Sequence, residues 1–227
     1  MLRQTDISPL SRLVMRVDAA ADSGVPGDSF ATGFPSVDKW LGGGLRRGDL
    51  VVLGGEVGAG KSSLALAMSL RMAQAGINSA FFTAEMTVER VMERVLAIEG
   101  RARVDDIRNG ALDEPTRAAV GAAAVRLRDG SPIIDNLPPG GVQTLADAVR
   151  RTLDVQVTFI DSLQALGLGQ REQDEELAVA VRTLKALAIE TGVALVVTSD
   201  LPAIVVGRHD PDRKSTRLNS SHRCISY

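Results

Sequence analysis

The chain has almost no cysteine and few aromatic residues. Its one cysteine, Cys224, and its one tyrosine, Tyr227, lie near the C-terminus, and Phe, Trp and Tyr together make up 3% of the 227 residues. A single cysteine excludes an intramolecular disulfide and a cysteine-based zinc site. A hydrophobic leader and a long apolar run are also lacking, whereas a membrane-spanning helix needs about 20 apolar residues. We therefore expect a soluble cytoplasmic protein with no membrane partner.

A strong positive charge is also missing. The sequence has 26 Lys and Arg against 28 Asp and Glu, which gives a net charge of −2. This balance argues against a basic groove over the whole surface, although it allows a few Lys or Arg on loops that line a ring channel. The 44% of hydrophobic residues is enough to bury one α/β core.

The last residues do not resemble ordinary protein sequence. Asp212–His222 matches the conceptual translation of a common sequencing-library adapter, and Ile225–Tyr227 matches its continuation beyond a two-residue sample index. Segments of this kind are excluded from fold reasoning. We interpret residues 212–227 as an artefactual tail and expect the natural sequence to be cut off near Pro211; the alternative is a natural polar tail. Without the tail the chain has no cysteine and is more acidic, because the tail carries four basic residues and one acidic residue.

The most informative stretch is Gly55–Ser62. It reads Gly-Glu-Val-Gly-Ala-Gly-Lys-Ser and fits the G-x-x-x-x-G-K-[ST] pattern of a phosphate-binding loop without a mismatch. A short apolar run at residues 49–53 precedes it, and strong helix formers at residues 63–72 follow it. Strand, loop and helix in this order aim backbone N–H groups at a polyphosphate. The pattern predicts a nucleoside triphosphate site, and the alternative is a chance glycine-rich turn.

Each residue type in this loop has an expected role. Glycine allows the backbone to turn tightly around phosphates. Lys61 is expected to reach the β- and γ-phosphates, and the Ser62 hydroxyl is expected to bind Mg²⁺. We therefore predict ATP and Mg²⁺ as cofactors, and the predicted nucleotide-binding residues are Gly55, Gly58, Ala59, Gly60, Lys61, Ser62 and Ser63.

Three acidic residues follow apolar strand-like runs. Asp161 is predicted to hold the Mg²⁺ shell through water, as the carboxylate at a strand end does in phosphate-loop proteins. Glu85 either polarises the attacking water beside the γ-phosphate or caps the helix that begins near Thr87. Asp200 is either a turn residue at a strand end or a group that senses the γ-phosphate, in which case Mg²⁺, water or a cation must offset the repulsion between the two anions.

The remaining sequence alternates between strand and helix patterns, which predicts an α/β fold with a mainly parallel sheet flanked by helices. Expected strands are residues 49–53, 79–84, 132–135, 155–160 and 193–198, and expected helices are 63–72, 87–99, 104–108, 115–128, 144–153 and 175–190. Ser36 is expected to cap a further short helix. Chemistry gathers at the carboxyl ends of strands in such sheets.

Residues 1–31 are interpreted as an N-terminal linker helix and connector, followed by the core at 32–211 and the tail at 212–227. The helix begins at Ser8-Pro9 and has apolar residues at helical spacing. It either packs on its own domain or docks on a neighbouring subunit.

Together these residues resemble the RecA-type ATPase domain of replicative DnaB-type hexameric helicases. The likeness covers about residues 30–205, and its landmarks are 32–34, 55–62, 85–86, 107–112, 159–164 and 184–188. The resemblance implies a RecA-like P-loop NTPase core, ATP hydrolysis coupled to movement along single-stranded DNA, and a homo-hexamer when full length. By the same resemblance, Lys61 and Ser62 bind phosphate and Mg²⁺, Glu85 activates water and Asp161 organises the metal.

Two features depart from that family. Members usually carry Gln where Asp200 stands, and the stretch 40–45 also looks like its counterpart in RadA- and KaiC-type ATPases. The alternative function is therefore a regulatory or recombination ATPase that does not unwind DNA. The resemblance further implies that the last strands of the domain and its arginine finger are missing, so we expect weak turnover from this chain.

Overall fold

The computed structural model describes residues 8–23, 29–152, 154–169 and 173–201. The helices are α1 (Pro9–Ser23), α2 (Pro35–Trp40), α3 (Lys61–Gln74), α4 (Val88–Gly100), α5 (Val104–Asn109), α6 (Glu114–Asp129), α7 (Gly141–Arg151) and α8 (Gln173–Thr191). The strands are β1 (Ser29–Phe30), β2 (Leu45–Arg46), β3 (Leu50–Gly55), β4 (Ser79–Thr83), β5 (Ile133–Asn136), β6 (Val157–Asp161) and β7 (Ala194–Asp200). A 3₁₀ turn, Leu163–Leu166, follows β6.

The main sheet has five parallel strands in the order β3-β7-β6-β4-β5. Strands β1 and β2 form a separate antiparallel pair. Each of the five strands expected from the sequence is present, so the prediction of a mainly parallel α/β sheet is confirmed. Strand β7 lies between β3 and β6, which brings the ends of these three strands to the same edge of the sheet.

Strands β4, β6 and β7 are buried, whereas the edge strand β5 is largely exposed. Successive residues of the buried strands point to opposite faces of the sheet, and helices cover both faces. On one face, Phe82 of β4 and Ile160 of β6 belong to a core that includes residues of α7 and α8. On the other face, Phe81 and Phe159 belong to a core that includes residues of α3, α4 and α6. The loops at the carboxyl edge of the sheet are therefore attached to strands that pack in two hydrophobic cores.

Two local expectations are wrong. The residue at the N-cap of α2 is Phe34, not Ser36, and Phe34 makes no side-chain capping hydrogen bond; Pro35 occupies the first turn. Helix α7 begins at Gly141 rather than at residue 144, and its N-cap, Gly140, has a φ of 113°, a conformation that favours glycine. Neither difference moves a strand.

Helix α1 forms where the Ser8-Pro9 signal predicts a helix. Its described apolar side chains remain exposed, from 46% for Leu13 to 70% for Leu10. These side chains therefore do not pack on their own domain, and the first of the two alternatives for this helix is wrong. Among the described residues, no helix is long and apolar enough to cross a membrane.

The division of the chain at residues 31 and 211 stays a prediction. The tail at 212–227 lies outside the described residues.

Candidate nucleotide-binding site

The loop between β3 and α3 has the geometry that its glycines predict. Gly58 and Gly60 have φ values of 82° and 88°, which side-chain-bearing residues rarely adopt, and there is open space where a Cβ would stand. The backbone amide of Ala59 donates to the Glu56 carbonyl oxygen at 3.1 Å and closes the turn. Gly60 is the N-cap of α3, so the first N–H groups of that helix face the loop.

Gly55 differs from its expected role. It is the last residue of β3 and does not have a positive φ, so it does not turn the chain. Its carbonyl oxygen instead accepts hydrogen bonds from the Lys61 ammonium at 3.1 Å and from the Leu201 amide at 2.9 Å. Gly55 thereby connects the start of the loop to the end of β7.

Lys61 begins α3, and its side chain folds back across the loop. Its ammonium donates to the carbonyl oxygens of Gly55 and Glu56, the latter at 2.9 Å. It also forms an ion pair with the Asp200 carboxylate, with Nζ and Oδ1 2.7 Å apart. The ammonium therefore lies inside the loop that is predicted to surround phosphates.

Asp161 and Ser62 come together as the metal assignment requires. Asp161 ends β6 and is 1% exposed, and its Oδ1 accepts from the Ser62 hydroxyl at 2.9 Å and from the Thr198 hydroxyl at 2.6 Å. Its Oδ2 is buried and has no hydrogen-bond partner among the described residues. A buried carboxylate oxygen without a partner is costly unless a water or ion completes it.

This donor set fits Mg²⁺. The hydroxyl and carboxylate oxygens of Ser62 and Asp161 are hard ligands, which Mg²⁺ prefers. Within the described ranges, no group of three or more acidic, histidine or cysteine side chains could hold a metal alone. Mg²⁺ usually keeps several waters and shares phosphate oxygens in nucleotide sites, so a protein cage is not needed here.

Glu85 lies close to this pair in the fold. The amide of Ala84 donates to the Asp161 carbonyl oxygen at 2.9 Å, and Thr83 of β4 is in register with Asp161. The Glu85 side chain is exposed. The alternative role of Glu85 as the cap of α4 is wrong, because the Thr87 hydroxyl accepts from the Arg90 amide and caps that helix.

Asp200 is the last residue of β7 and lies opposite Gly55 in the sheet. Its side chain is 40% exposed and is paired with Lys61, which is 11% exposed. The Gln164 amide donates to the Asp200 carbonyl oxygen and to the Ser199 hydroxyl, both at 3.1 Å. Asp200 is therefore fixed at its backbone and placed against the loop lysine.

Three site residues were not singled out from the sequence. Thr198 is a buried polar residue in an apolar strand, and that contrast is a signal for a functional contact. Gln164 lies in the 3₁₀ turn after β6, and its contact with β7 depends on strand order. Asn136, at the end of β5, donates to the Met86 carbonyl oxygen at 2.9 Å and supports the backbone beside Glu85.

Ser63 is exposed and follows Ser62 in the first turn of α3. With Arg94 and Arg108 it lines a separate surface cavity of about 480 Å³ between α3, α4 and α5. Arg108 in turn pairs with Glu93 at 2.6 Å. Ser63 of α3 thus lies at a pocket that the sequence did not predict.

The loop, the buried acid of β6 and the strand order together define a P-loop nucleoside triphosphatase with a RecA-like core. Comparison with known proteins identifies the family within this class. The family model for the DnaB-like helicase C terminal domain matches residues 29–222. The chain belongs to this family. The match continues past residue 211, and the assignment of the tail to an artefact stays a prediction.

Curated relatives are whole helicases. The chain is 26% identical over 186 residues to the replicative DNA helicase DnaB of Geobacillus stearothermophilus. The aligned region covers 79% of this chain and 41% of the relative. It is 33% identical over 199 residues to the DnaB of Rhodothermus marinus, covering 82% of this chain and 20% of the relative. The chain therefore spans less than half the length of these relatives.

Solved structures show the same fold. A solved ATPase domain superposes with a TM-score of 0.79 at 20% identity, covering 90% of this chain and 75% of that one. A DnaB-like replicative helicase, described with its interactions with primase, superposes with a TM-score of 0.74 at 19% identity, covering 90% and 51%. The prediction of a RecA-like core of the DnaB type is confirmed, and the RadA- or KaiC-like alternative is not favoured.

Proposed function

We propose that this chain is the ATP-binding and ATP-hydrolysing motor domain of a replicative DNA helicase. The observation that supports this most is the convergence of Lys61, Ser62, Asp161 and Glu85 at one edge of the sheet. These residues come from a helix start and two different strand ends, and family membership gives their arrangement a function. ATP is the proposed nucleotide and Mg²⁺ the proposed metal.

The residues of the loop bind and orient the polyphosphate. Backbone N–H groups at the start of α3 point toward the loop, where they donate to phosphate oxygens and the helix dipole favours negative charge. The Lys61 ammonium adds a positive charge for the β- and γ-phosphates. Ser62 and Asp161, which lie in contact, would hold Mg²⁺. When bound, Mg²⁺ neutralises charge on the transferred phosphoryl group.

Glu85 is the proposed residue that activates water. Glu85 is exposed and lies two residues beyond the end of β4, which pairs with the strand that carries Asp161. A carboxylate at this place orients the attacking water and accepts its proton as the bond to phosphorus forms. The backbone around it is held by the hydrogen bond from Ala84 to Asp161 and by Asn136, so the side chain projects from a backbone of defined position.

Single-stranded DNA is the proposed substrate of the motor. Strand separation of a forked DNA duplex by the assembled protein that contains this domain tests the proposal. We expect separation with ATP and none with a non-hydrolysable analogue. ATP hydrolysis that is indifferent to DNA, with no strand separation, would contradict the helicase and support the regulatory ATPase instead.

A homo-hexamer is the proposed assembly, and α1 is the proposed docking element on the neighbouring subunit. Burial of an apolar side chain such as Leu13 or Val17 contributes about 1.5–3 kcal/mol. Replacing both by aspartate should therefore lower the oligomer mass seen by light scattering. Val125→Asp is the control, because Val125 is similarly exposed at 64% but lies on α6. A mass unchanged in the double variant argues against docking through α1.

A further inference from the structure

The Lys61 ammonium has no free donor. An ammonium carries three N–H donors, and in the structure it contacts three oxygens: the Gly55 carbonyl at 3.1 Å, the Glu56 carbonyl at 2.9 Å and Asp200 Oδ1 at 2.7 Å. Two of these partners belong to the loop itself. Asp200 is the charged partner, and it comes from β7, a different strand. A phosphate oxygen that binds Lys61 must therefore replace one of these contacts.

Asp200 is the contact that a phosphate displaces. The two carbonyl oxygens are part of the loop backbone and carry no net charge, unlike the Asp200 carboxylate. The Asp200 carboxylate is itself an anion, so a phosphate repels it. The phosphate also competes with Asp200 for the Lys61 ammonium. The 40% exposure of Asp200 gives its side chain room to turn toward water once the pair breaks.

The pair differs from an ordinary surface ion pair because one of its partners is largely buried. Lys61 is 11% exposed, and partly buried charges are screened less by salt than exposed ones. The backbone of Asp200 is also held, by Gln164 at its carbonyl oxygen and by the pairing of β7 with β3. The carboxylate is therefore presented to Lys61 without the entropy cost of ordering a mobile loop.

We propose that Asp200 determines nucleotide specificity as an intramolecular competitor of the γ-phosphate for Lys61, which lowers the affinity for nucleoside triphosphates more than for diphosphates. This inference rests on the proposed function, because it takes the same loop as the nucleotide site. The difference between the two ligands follows from charge. The γ-phosphate adds negative charge beside Lys61, where the Asp200 carboxylate stands, whereas a diphosphate ends further from it.

The variant that tests this is Asp200→Asn, which keeps the shape and removes the charge. Titration of a fluorescent ADP and of a non-hydrolysable ATP analogue, both with Mg²⁺, gives the two affinities. We expect affinity for the triphosphate to rise about tenfold and affinity for the diphosphate to rise by about threefold or less. Asp200→Glu, which restores the charge, should stay within about threefold of the wild-type protein.

Asp135→Asn is the matched control. Asp135 lies in β5, on the far side of the sheet from β3, and its side chain accepts a hydrogen bond from the Asn136 amide rather than from a lysine. The Asp135→Asn variant removes one negative charge from the protein and should change neither the triphosphate affinity nor the diphosphate affinity. A general charge effect would appear equally in both variants, whereas competition for Lys61 appears in Asp200→Asn alone.

The outcomes separate the two hypotheses. If the wild-type protein binds neither ligand, the proposed function fails and this inference fails with it. If the wild-type protein binds both ligands and Asp200→Asn leaves the ratio of the two affinities unchanged, the inference fails and the proposed function stands. Weaker triphosphate binding in Asp200→Asn would also overturn the inference, because the carboxylate would then be helping to hold the ligand.

Discussion

Replacing Lys61 by alanine is expected to lower the affinity for ATP and ADP by about 100-fold, since charge-assisted hydrogen bonds to phosphate are the strongest contacts the loop offers. The side chain reaches back over the loop and lies against its carbonyl oxygens. Alanine keeps the helix start of α3, because it is a good helix former, so the loss falls on the ligand. Titration of a fluorescent nucleotide measures it.

A matched control separates this effect from loss of net charge. Lys39 of α2 is an exposed lysine outside the loop, and Lys39→Ala should leave nucleotide affinity unchanged. If Lys61→Ala binds nucleotide as tightly as the wild-type protein, the assignment of residues 55–62 to a phosphate site is wrong.

Replacing Glu85 by glutamine is expected to lower the rate of ATP hydrolysis by about 10²- to 10⁴-fold, the usual contribution of a general base. Glutamine has the same shape as glutamate and cannot accept the proton of the attacking water. Nucleotide affinity should remain within about twofold of the wild-type value. The described hydrogen bonds of Lys61 and Ser62 go to Gly55, Glu56 and Asp161, and Glu85 takes part in none of them. Single-turnover hydrolysis with protein in excess measures slow rates directly.

Glu89→Gln is the control for Glu85→Gln. Glu89 lies in the first turn of α4, and hydrogen bonds from its own backbone amide and from the Thr87 hydroxyl hold the pKa of its carboxyl below the usual range. Its charge therefore serves the helix start, and the variant should hydrolyse ATP at the wild-type rate. Equal loss of hydrolysis in both variants would show that the effect of Glu85→Gln comes from a disturbed helix, not from a lost base.

Much of the fold is predictable from the sequence because the signals are local. The apolar runs of β3, β6 and β7 are bounded by glycine or acidic residues, and the helix formers after residue 62 are uninterrupted. The phosphate loop is predictable because its conformation depends on glycines at fixed places, two of which have positive φ. The pairing of Ser62 with Asp161 follows from family resemblance, and the structure places them in contact.

The contacts of Asp200 were not predictable, because they depend on strand order. The sequence shows that Asp200 ends a strand, but the strand lies beside β3 only because β7 is inserted between β3 and β6. The same insertion brings Thr198 to Asp161. The errors at Ser36 and at residue 144 concern helix starts: α2 begins at Pro35, and α7 begins at Gly141 after the N-cap Gly140.

Strand β7 contacts both halves of the site with alternate residues. Thr198 reaches Asp161 and Asp200 reaches Lys61, whereas Ser199 between them contacts Gln164. Side chains two apart on a strand share a face, so the metal acid and the phosphate lysine are both positioned by a single backbone. Adding or removing one residue ahead of Thr198 would reverse this alternation and disconnect both partners in one step.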